Sequence, residues 1–493
     1  MKTKKGAFTI ILMVIVSCCT QVLTLVKSSV VASIFGASLS LDAYNFANSI
    51  VSFLFGFVSA GISTVVLPEY VKKTDRKLVD GFLTIIYFVL FVILCLLIVI
   101  RSQLIGAISS KEDAFVQLAS SLLLVFILAH TISSVAEITT TYFQTIGKYN
   151  LPKIINLFVQ LAIVIYLFVS DNLSIQQYTY IIVGGIVISA FINIAVGFAN
   201  GWRFKPEIYI KRSFPLLKRF VPVLLSSGIY HLSLLIDSAI ASRLDTGMLT
   251  VLSYSSQIVR MINALIISNL VTYCYPKIVA LYNSNANQQQ FWKWVYIFHL
   301  IVCYIIAGFI VVGRQGINII FNHGAFTSEA CQLVYVGALI YVLGQQTNII
   351  RDLIYRYFYA AGDTKTPAIN SVWVSAVNIL ISIGLVAFIG FYGIIIGTVC
   401  ASLVSTIMIT VKFSKKYSTK QQTFGAISII YRNLISLSIT VVIAYITQLF
   451  VFIDNDIIHI LVYGIECTIV YGIVSFFTLP HDISNELFKH KKT

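Results

Sequence analysis

The sequence predicts an all-α polytopic membrane protein with about fourteen transmembrane helices. Of its 493 residues, 58% are hydrophobic and only 11% are charged, and the mean hydropathy is +0.90. Soluble domains average roughly 45–50% apolar and about 25% charged residues, so lipid must solvate most of this chain. Long apolar runs that do not alternate, such as 81–100, indicate helices and not the strands of a barrel.

Apolar segments are separated by short polar turns along the whole chain. They cover 7–35, 42–68, 81–100, 116–143, 152–170, 177–200, 216–241, 249–275, 292–313, 330–350, 367–390, 393–412, 428–452 and 457–479. The longest loops, around 201–215, 276–291 and 314–329, are too short to hold a soluble catalytic domain. We therefore predict a protein that acts within or across the bilayer and is not an enzyme.

Lysines and arginines are concentrated in alternate loops. If the N-terminus is cytoplasmic, the outward turns carry few basic residues, which are Arg101, Lys111, Arg243 and Arg314. The inward loops and the C-terminal tail carry most of the others, as the positive-inside rule requires. This placement predicts that both termini are cytoplasmic, and it explains the net charge of +15 without a nucleic-acid partner.

An internal repeat divides the chain. Residues 142–152 and 357–367 both read YF-x3-G-x4-P, with Gly ending one helix and Pro starting the next. Glycine and proline mark any helical hairpin, so the repeat rests on the shared YF and the equal spacing. We predict six-helix lobes at 1–206 and 207–420, followed by two extra helices and a basic tail at 421–493. Lobes repeated in one orientation are typical of transporters with a substrate path between them.

Four stretches of the sequence resemble one known family. They are Val31–Ala37 followed by Asp42–Tyr44, the turn Gly61–Pro68, His323–Thr327, and Phe358–Pro367. On these residues the chain resembles the MurJ (MviN) lipid II flippases of the MOP exporter superfamily, which also includes Wzx-type flippases and MATE exporters. The family layout of two six-helix lobes and two extra helices covers the whole chain. The resemblance implies a bacterial inner membrane protein whose partners are membrane lipid, a lipid-linked glycan and the enzymes that assemble that glycan.

The resemblance also implies arginines on the first, second and eighth helices that face a central cavity, and here this set is thinned. The first-helix cation is Lys27, but Phe55 and Gly56 occupy the second-helix arginine positions. On the eighth helix the arginine position falls near Gln257, and Arg260 follows nearly one turn later. This departure favours another undecaprenyl-pyrophosphate-linked saccharide, such as an O-antigen, capsule or exopolysaccharide unit, with lipid II as the alternative.

Lys27 and Arg260 are the residues that we predict to bind the substrate. Both lie within apolar segments of opposite lobes, where an ionisable side chain costs about 2.5–3.5 kcal/mol. A pyrophosphate cannot enter hydrocarbon without counter-charge, and cations that line a wet cavity would supply it. The alternative is that each cation pairs with a neighbouring acid and stabilises packing.

Asp42 and a second set of polar residues suggest gating and ion coupling. Asp42 opens the second helix, where it could cap free N–H groups, whereas the resemblance implies a gating role. Asp237, Asn378, Ser382 and Thr398 could form an oxygen-rich site for sodium, or Asp237 could carry a proton. Asn378 and Ser382 are four residues apart and share a helix face. The alternative is interhelical hydrogen bonding between small polar residues.

Three further ionisable residues lie within the apolar segments. Glu137, His231 and Glu466 are interpreted as packed polar groups, with proton transfer as the alternative.

The competing function is a MATE-like ion-coupled exporter of small molecules, which should combine buried acids with few cavity cations. The sequence has no nucleotide-binding motif and implies no resident cofactor, so we expect a sodium or proton gradient or the membrane potential to supply the energy.

Overall fold

A computed structural model describes residues 2–71, 76–109, 111–170, 172–207, 210–284 and 288–479. Within these ranges the regular structure is entirely helical. The helices are α1 (Lys2–Phe35), α2 (Leu39–Val71), α3 (Arg76–Ser109), α4 (Asp113–Thr145), α5 (Leu151–Val169), α6 (Ile175–Ala199), α7 (Ile210–Ser242), α8 (Met248–Ile262), a π-helical turn (Asn263–Ile267), α9 (Ser268–Asn283), α10 (Gln289–Phe321), α11 (Ser328–Leu343), α12 (Gln345–Ala360), α13 (Lys365–Ile389), α14 (Phe391–Tyr417), α15 (Lys420–Phe450) and α16 (Asp456–Thr478).

Helix length and apolarity confirm the predicted all-α polytopic fold. Among the described residues, twelve helical stretches are long and apolar enough to cross a membrane. One of them joins α11 and α12 into a single stretch, Ser328–Ala360. The predicted number of about fourteen is not confirmed, because α2 and α7, each 33 residues long, are not among the twelve.

The helices form two compact units. The first contains the described residues up to Ser253 together with Gly324–Phe326, and the second contains the remaining described residues. In the first unit α2 packs most extensively against α4 and α7, and α4 also packs against α6. In the second unit α13 packs against α14, while α15 and α16 both pack against α10. The lobe boundaries after residues 206 and 420 concern internal duplication and stay predictions.

Capping side chains fix where several helices begin. Ser174 accepts a hydrogen bond from the Gln177 N–H at the start of α6, and the Gln177 side chain accepts one from the Ser174 N–H. Thr419 and Gln422 form the same capping box at α15. Such reciprocal bonds satisfy N–H groups that the helix itself leaves without a partner. These helices therefore begin at their caps, regardless of where the apolar run begins.

The two copies of the sequence repeat form the same helix end. In the first copy the Lys148 N–H donates to the Phe143 carbonyl at 2.9 Å, and in the second the Asp363 N–H donates to the Phe358 carbonyl at 2.9 Å. The intervening glycine has φ of 75° in one copy and 76° in the other. This six-residue closure with a left-handed glycine is the Schellman motif. The shared backbone geometry supports a duplication.

The second copy of the repeat carries an ion pair that gives stability a pH dependence. The Asp363 carboxylate accepts hydrogen bonds from the Thr366 N–H (3.0 Å), the Thr366 hydroxyl (2.9 Å) and Lys416 Nζ (2.7 Å). Burial raises the pKa of Asp363, but the bonds from Lys416 and Thr366 outweigh burial and hold the pKa below its ordinary value. A depressed folded-state pKa stabilises the fold above the unfolded pKa of about 3.9, and this contribution is lost as the pH falls through the folded value.

We expect Asp363→Asn to lower the Tm slightly at pH 7 and to leave it unchanged at a pH below the folded pKa of Asp363. The Lys416 side chain is 52% exposed to solvent, so the effect is small and decreases with salt. Thermal unfolding in detergent across a pH series measures the difference from wild type. Asp454→Asn, at an exposed loop position, is the control and should show no difference at either pH. A Tm difference for Asp363→Asn that persists at low pH would contradict the assignment.

Two stretches that carry the family resemblance pack against each other in the first unit. The Ala325 N–H donates to the Ser33 carbonyl at 2.7 Å. A Cβ on Gly36 would lie 2.5 Å from the Ala325 carbonyl oxygen, and one on Gly324 would overlap the Ser33 carbonyl and lie 2.8 Å from Ser33 Cβ. Both glycines also have left-handed φ, of 60° and 63°. Only glycine fits both the backbone conformation and the space at these two positions.

Candidate functional site

A polar cavity of about 400 Å³ lies inside the first unit, among α1, α2, α4, α5 and α6. We call it the first-unit cavity. Lys27 of α1 reaches its wall, beside Tyr44 and Asn48 of α2. Polar side chains buried inside a membrane helix bundle are expensive and usually line an ion or substrate path. The first-unit cavity is therefore a candidate functional site.

One face of α4 supplies the most reactive part of the wall. His130, Ser133, Glu137 and Thr140 all line the cavity, and their spacing of three, four and three residues places them on one helix face. The ring of His130 packs near Phe55, with 5.7 Å between ring centroids. This packing against Phe55 holds the ring of His130 at the cavity wall.

The helices α5 and α6 complete the wall with neutral polar groups. Asn156 and Gln160 lie one turn apart on α5, and Ser189 and Asn193 lie one turn apart on α6. Gln160 Oε1, Asn193 Oδ1 and His130 Nε2 are buried and have no hydrogen-bond partner among the described residues. Buried polar atoms rarely remain unsatisfied, so these three atoms are expected to bind water or a ligand in the cavity.

Lys27 is partly buried and shares the first-unit cavity with Glu137. In the part of the chain that the structure describes, neither Lys27 Nζ nor the Glu137 carboxylate has a hydrogen-bond or ion-pair partner. Lys27 therefore does not act here as one half of an ion pair that stabilises packing. The predicted contact with a substrate pyrophosphate stays a prediction.

Arg260 lies on α8 in the second unit, and its side chain is exposed. Its Nη1 donates to Ser256 Oγ at 2.6 Å, one turn earlier. The π-helical turn Asn263–Ile267 begins three residues later. Single π turns within α-helices are frequent at functional sites. The structure thus places Arg260 beside an irregular backbone segment, and its substrate contact stays a prediction.

A second cavity, of about 380 Å³, lies between this π turn and α12 in the second unit. Arg351, Tyr355 and Tyr359 line it at intervals of one turn, together with Arg356. Arg351 Nη1 donates to Ser402 Oγ at 3.2 Å, and the guanidinium lies 5.9 Å from the Tyr355 ring centroid. Neither arginine was among the site residues predicted from the sequence, and this cavity was missed. The four-residue spacing of Arg351, Tyr355 and Tyr359 was the available signal.

Asp42 is buried and bonds a helix other than its own. Its carboxylate accepts hydrogen bonds from the Gly247 N–H (2.6 Å), the Thr250 N–H (2.8 Å) and the Thr250 hydroxyl (2.7 Å). Asp42 therefore caps the start of α8, 205 residues away in sequence, while Ser38 accepts a bond at the start of α2. Within the described ranges no lysine or arginine forms an ion pair with Asp42. A gating role stays a prediction.

Three of the four predicted ion-coupling residues come together in the second unit. Ser382 Oγ donates to Asn378 Oδ1 at 3.2 Å, and Thr398 Oγ1 donates to the Ile394 carbonyl at 3.1 Å. Ser382 Oγ also lies 3.4 Å from the same Ile394 carbonyl. Asp237 is buried on α7 in the first unit, and its participation stays a prediction.

Comparison with known protein families shows to which family this chain belongs. The model of the lipid II flippase MurJ family matches residues 31–463, most of the sequence. The chain belongs to the lipid II flippase MurJ family. A probable lipid II flippase MurJ of Rickettsia prowazekii (strain Madrid E) is 24% identical over 492 residues, covering 93% of this chain and 94% of that protein. One from Vibrio cholerae (serotype O1) is 24% identical, covering 77% of each chain.

Solved structures agree with the MurJ assignment at the level of the fold. A lipid II flippase MurJ in an inward closed conformation has a TM-score of 0.79 at 23% identity, covering 94% of this chain and 98% of that one. An inward-facing multidrug resistance MATE family transporter of the MOP superfamily has a TM-score of 0.61 at 14% identity, covering 82% and 100%. The MATE likeness is more distant, which weakens the competing exporter function.

The thinned arginine set of this MurJ family member has a packing explanation. At one second-helix position where arginine is expected, a Cβ on Gly56 would lie 2.6 Å from Nε2 of His231 on α7. At the adjacent position Phe55 is buried beside His130. Two positions expected to carry arginine thus hold small or apolar residues that each pack against a histidine. An arginine at 56 would have to displace His231.

Proposed function

We propose that this protein translocates the headgroup of an undecaprenyl-pyrophosphate-linked saccharide across the bacterial inner membrane by alternating access. The observation that carries the proposal is the match of residues 31–463 to the lipid II flippase MurJ family. Relatives bear the name lipid II flippase, so lipid II or a related precursor is the proposed substrate class. Movement of a lipid headgroup breaks no covalent bond, so the protein acts as a transporter and not as an enzyme.

The intramembrane charges provide the proposed mechanism. Lys27 and Arg260 supply counter-charge to the pyrophosphate, because charge-assisted hydrogen bonds replace the hydration that an anion loses in the membrane. Both termini lie in the cytoplasm, and enzymes that assemble the glycan supply the substrate on that side. Asn378, Ser382 and Thr398 bind a coupling sodium ion through oxygen atoms, and Asp237 is a further ion-coupling residue.

Complementation of a strain depleted of its own lipid II flippase tests the proposal. We expect the wild-type protein to restore growth, and Lys27→Ala or Arg260→Ala to reduce the flipping rate by about tenfold to a hundredfold. Each substitution removes a charge-assisted hydrogen bond worth about 1.5–3 kcal/mol. The rate is measured as the appearance of lipid II on the outer leaflet, at matched expression.

Lys415→Ala is the control for that experiment, since it removes an exposed lysine at the end of α14. It should leave flipping unchanged. Full activity of the Lys27→Ala, Arg260→Ala double variant would rule out these residues as the pyrophosphate contacts. Failure of the wild type to rescue, at normal expression, would exclude lipid II and point to another saccharide.

A further inference from the structure

The first-unit cavity brings together an acid, a base and an imidazole. Lys27, His130 and Glu137 all line it, and none is satisfied by another side chain among the described residues. Other polar groups of α4 behave differently, since the Thr131 and Ser134 hydroxyls bond carbonyls of their own helix. Ionisable groups within a membrane usually pair with one another or serve a transport step. These three share a space without pairing.

Further titratable groups around Glu137 are few. Tyr44 of α2 lines the cavity, and Tyr87 of α3 lies nearby with its hydroxyl donating to the Ser134 carbonyl at 2.6 Å. The cavity faces of α5 and α6 contribute only amides, hydroxyls and apolar groups. Lys153 of α5 bonds Ser17 of α1 at 3.1 Å and does not line the cavity. Among the described residues, the titratable groups facing Glu137 are therefore Lys27, His130 and two tyrosines.

The residues that line the first-unit cavity favour a proton as its ligand over a metal cation or an anion. A bound metal cation would need several oxygen ligands and would be repelled by Lys27, and a bound anion would be repelled by Glu137. In the described part of the chain, no group of three or more His, Cys, Asp or Glu residues could hold a metal ion. A proton needs only one basic atom and a path. Glu137 and His130 offer such atoms, seven residues or about 10 Å apart along α4, with Ser133 between them.

We propose that Glu137 and His130 form a proton-binding site in the first unit, with the cavity as its hydrated access path. One proton passes through hydrogen-bonded water and His130 Nε2 to the Glu137 carboxylate, which becomes a neutral carboxylic acid. With Glu137 ionised, its charge balances that of Lys27 across the cavity. With Glu137 protonated, the Lys27 charge is available to the substrate pyrophosphate. This last step rests on the proposed function, whereas the proton site itself does not.

Infrared difference spectroscopy of the purified full-length protein in lipid nanodiscs tests the site without a substrate. All titrating carboxylates contribute carboxylic acid C=O bands between acidic and alkaline pH, so the Glu137→Gln spectrum is subtracted from that of the wild type. The remaining spectrum should contain one C=O band, which Glu137→Asp retains. Glu466→Gln is the matched control, because Glu466 is an intramembrane acid of the second unit that already accepts a hydrogen bond from Thr447 at 2.7 Å. It should keep the band. Identical C=O regions in the wild type and in Glu137→Gln would overturn the proposal.

Transport in proteoliposomes tests the link to Lys27. Flipping of fluorescent lipid II by the wild type should change by up to about tenfold for an imposed gradient of one pH unit. Glu137→Gln should make the rate independent of the gradient, a result that loss of packing alone would not produce. An unchanged pH response in Glu137→Gln would overturn the coupling. A wild type that flips no lipid II contradicts the proposed function, and the infrared result then decides the proton site alone.

Discussion

Replacing Gly324 by alanine is expected to reduce the free energy of unfolding by about 2–5 kcal/mol and to abolish complementation. Gly324 has φ of 63°, which an L-residue adopts at a cost of about 1–2 kcal/mol. The added Cβ would also overlap the Ser33 carbonyl, which accepts the Ala325 N–H. The backbone must shift, and that shift breaks the contact between the two stretches. Chemical unfolding in detergent, followed by tryptophan fluorescence, measures the loss.

Gly147→Ala separates the conformational cost of left-handed φ from the steric overlap of the added Cβ. Gly147 also has left-handed φ, of 75°, but a Cβ there would meet nothing within 4 Å. Its substitution should therefore reduce stability only by the conformational penalty of about 1–2 kcal/mol and should leave complementation intact. Equal losses for Gly147→Ala and Gly324→Ala would show that the close packing against Ser33 adds nothing.

Hydropathy predicted the ends of a helix correctly wherever the helix is as long as the hydrocarbon core is thick. The segments predicted at 152–170 and 457–479 correspond to Leu151–Val169 and Asp456–Thr478. The segment predicted at 81–100 is instead a helix over Arg76–Ser109. An apolar run reports the part of a helix that lies in lipid, while backbone hydrogen bonds continue the helix into polar sequence until a cap ends it.

Hydropathy did not predict the interruptions within helices. The predicted segment 249–275 contains the π-helical turn Asn263–Ile267, whose sequence NALII has no helix-breaking residue. The segment predicted at 330–350 contains the break between α11 and α12, and α12 continues beyond it to Ala360 with the arginines of the second cavity. A π turn depends on how neighbouring helices pack, and tertiary packing leaves no local signature.

Only some of the residues that line the first-unit cavity could be predicted from the sequence. Single charges such as Lys27 and Glu137 were identified because ionisable residues stand out in apolar segments. The face shared by His130 and Glu137 follows from helical periodicity, but His130 was not among the residues predicted from the sequence. Gln160 and Asn193 could not have been added, because only the packing of α5 and α6 places them on the same wall.

The second large effect is expected for Asp42→Ala. The carboxylate accepts three hydrogen bonds, from the Gly247 N–H and from the N–H and hydroxyl of Thr250, and all three donors are buried with it. Removal of the acceptor leaves these donors unsatisfied, at about 1–3 kcal/mol each. We expect a loss of about 3–6 kcal/mol in the free energy of unfolding. Asp113→Ala, an exposed acid in the first turn of α4, should cost about 0.3–1 kcal/mol.

A double-mutant cycle shows whether the loss belongs to the bond between Asp42 and α8. Thr250→Val removes the hydroxyl that donates to Asp42 at 2.7 Å and accepts from Asn45 at 3.3 Å. If Asp42 acts by capping α8, the two substitutions together should destabilise less than their sum, with a coupling energy of about 0.5–3 kcal/mol. Additive losses would mean that Asp42 stabilises the fold through other contacts. A coupling energy that appears only in the transport rate, and not in stability, would assign Asp42 to gating instead.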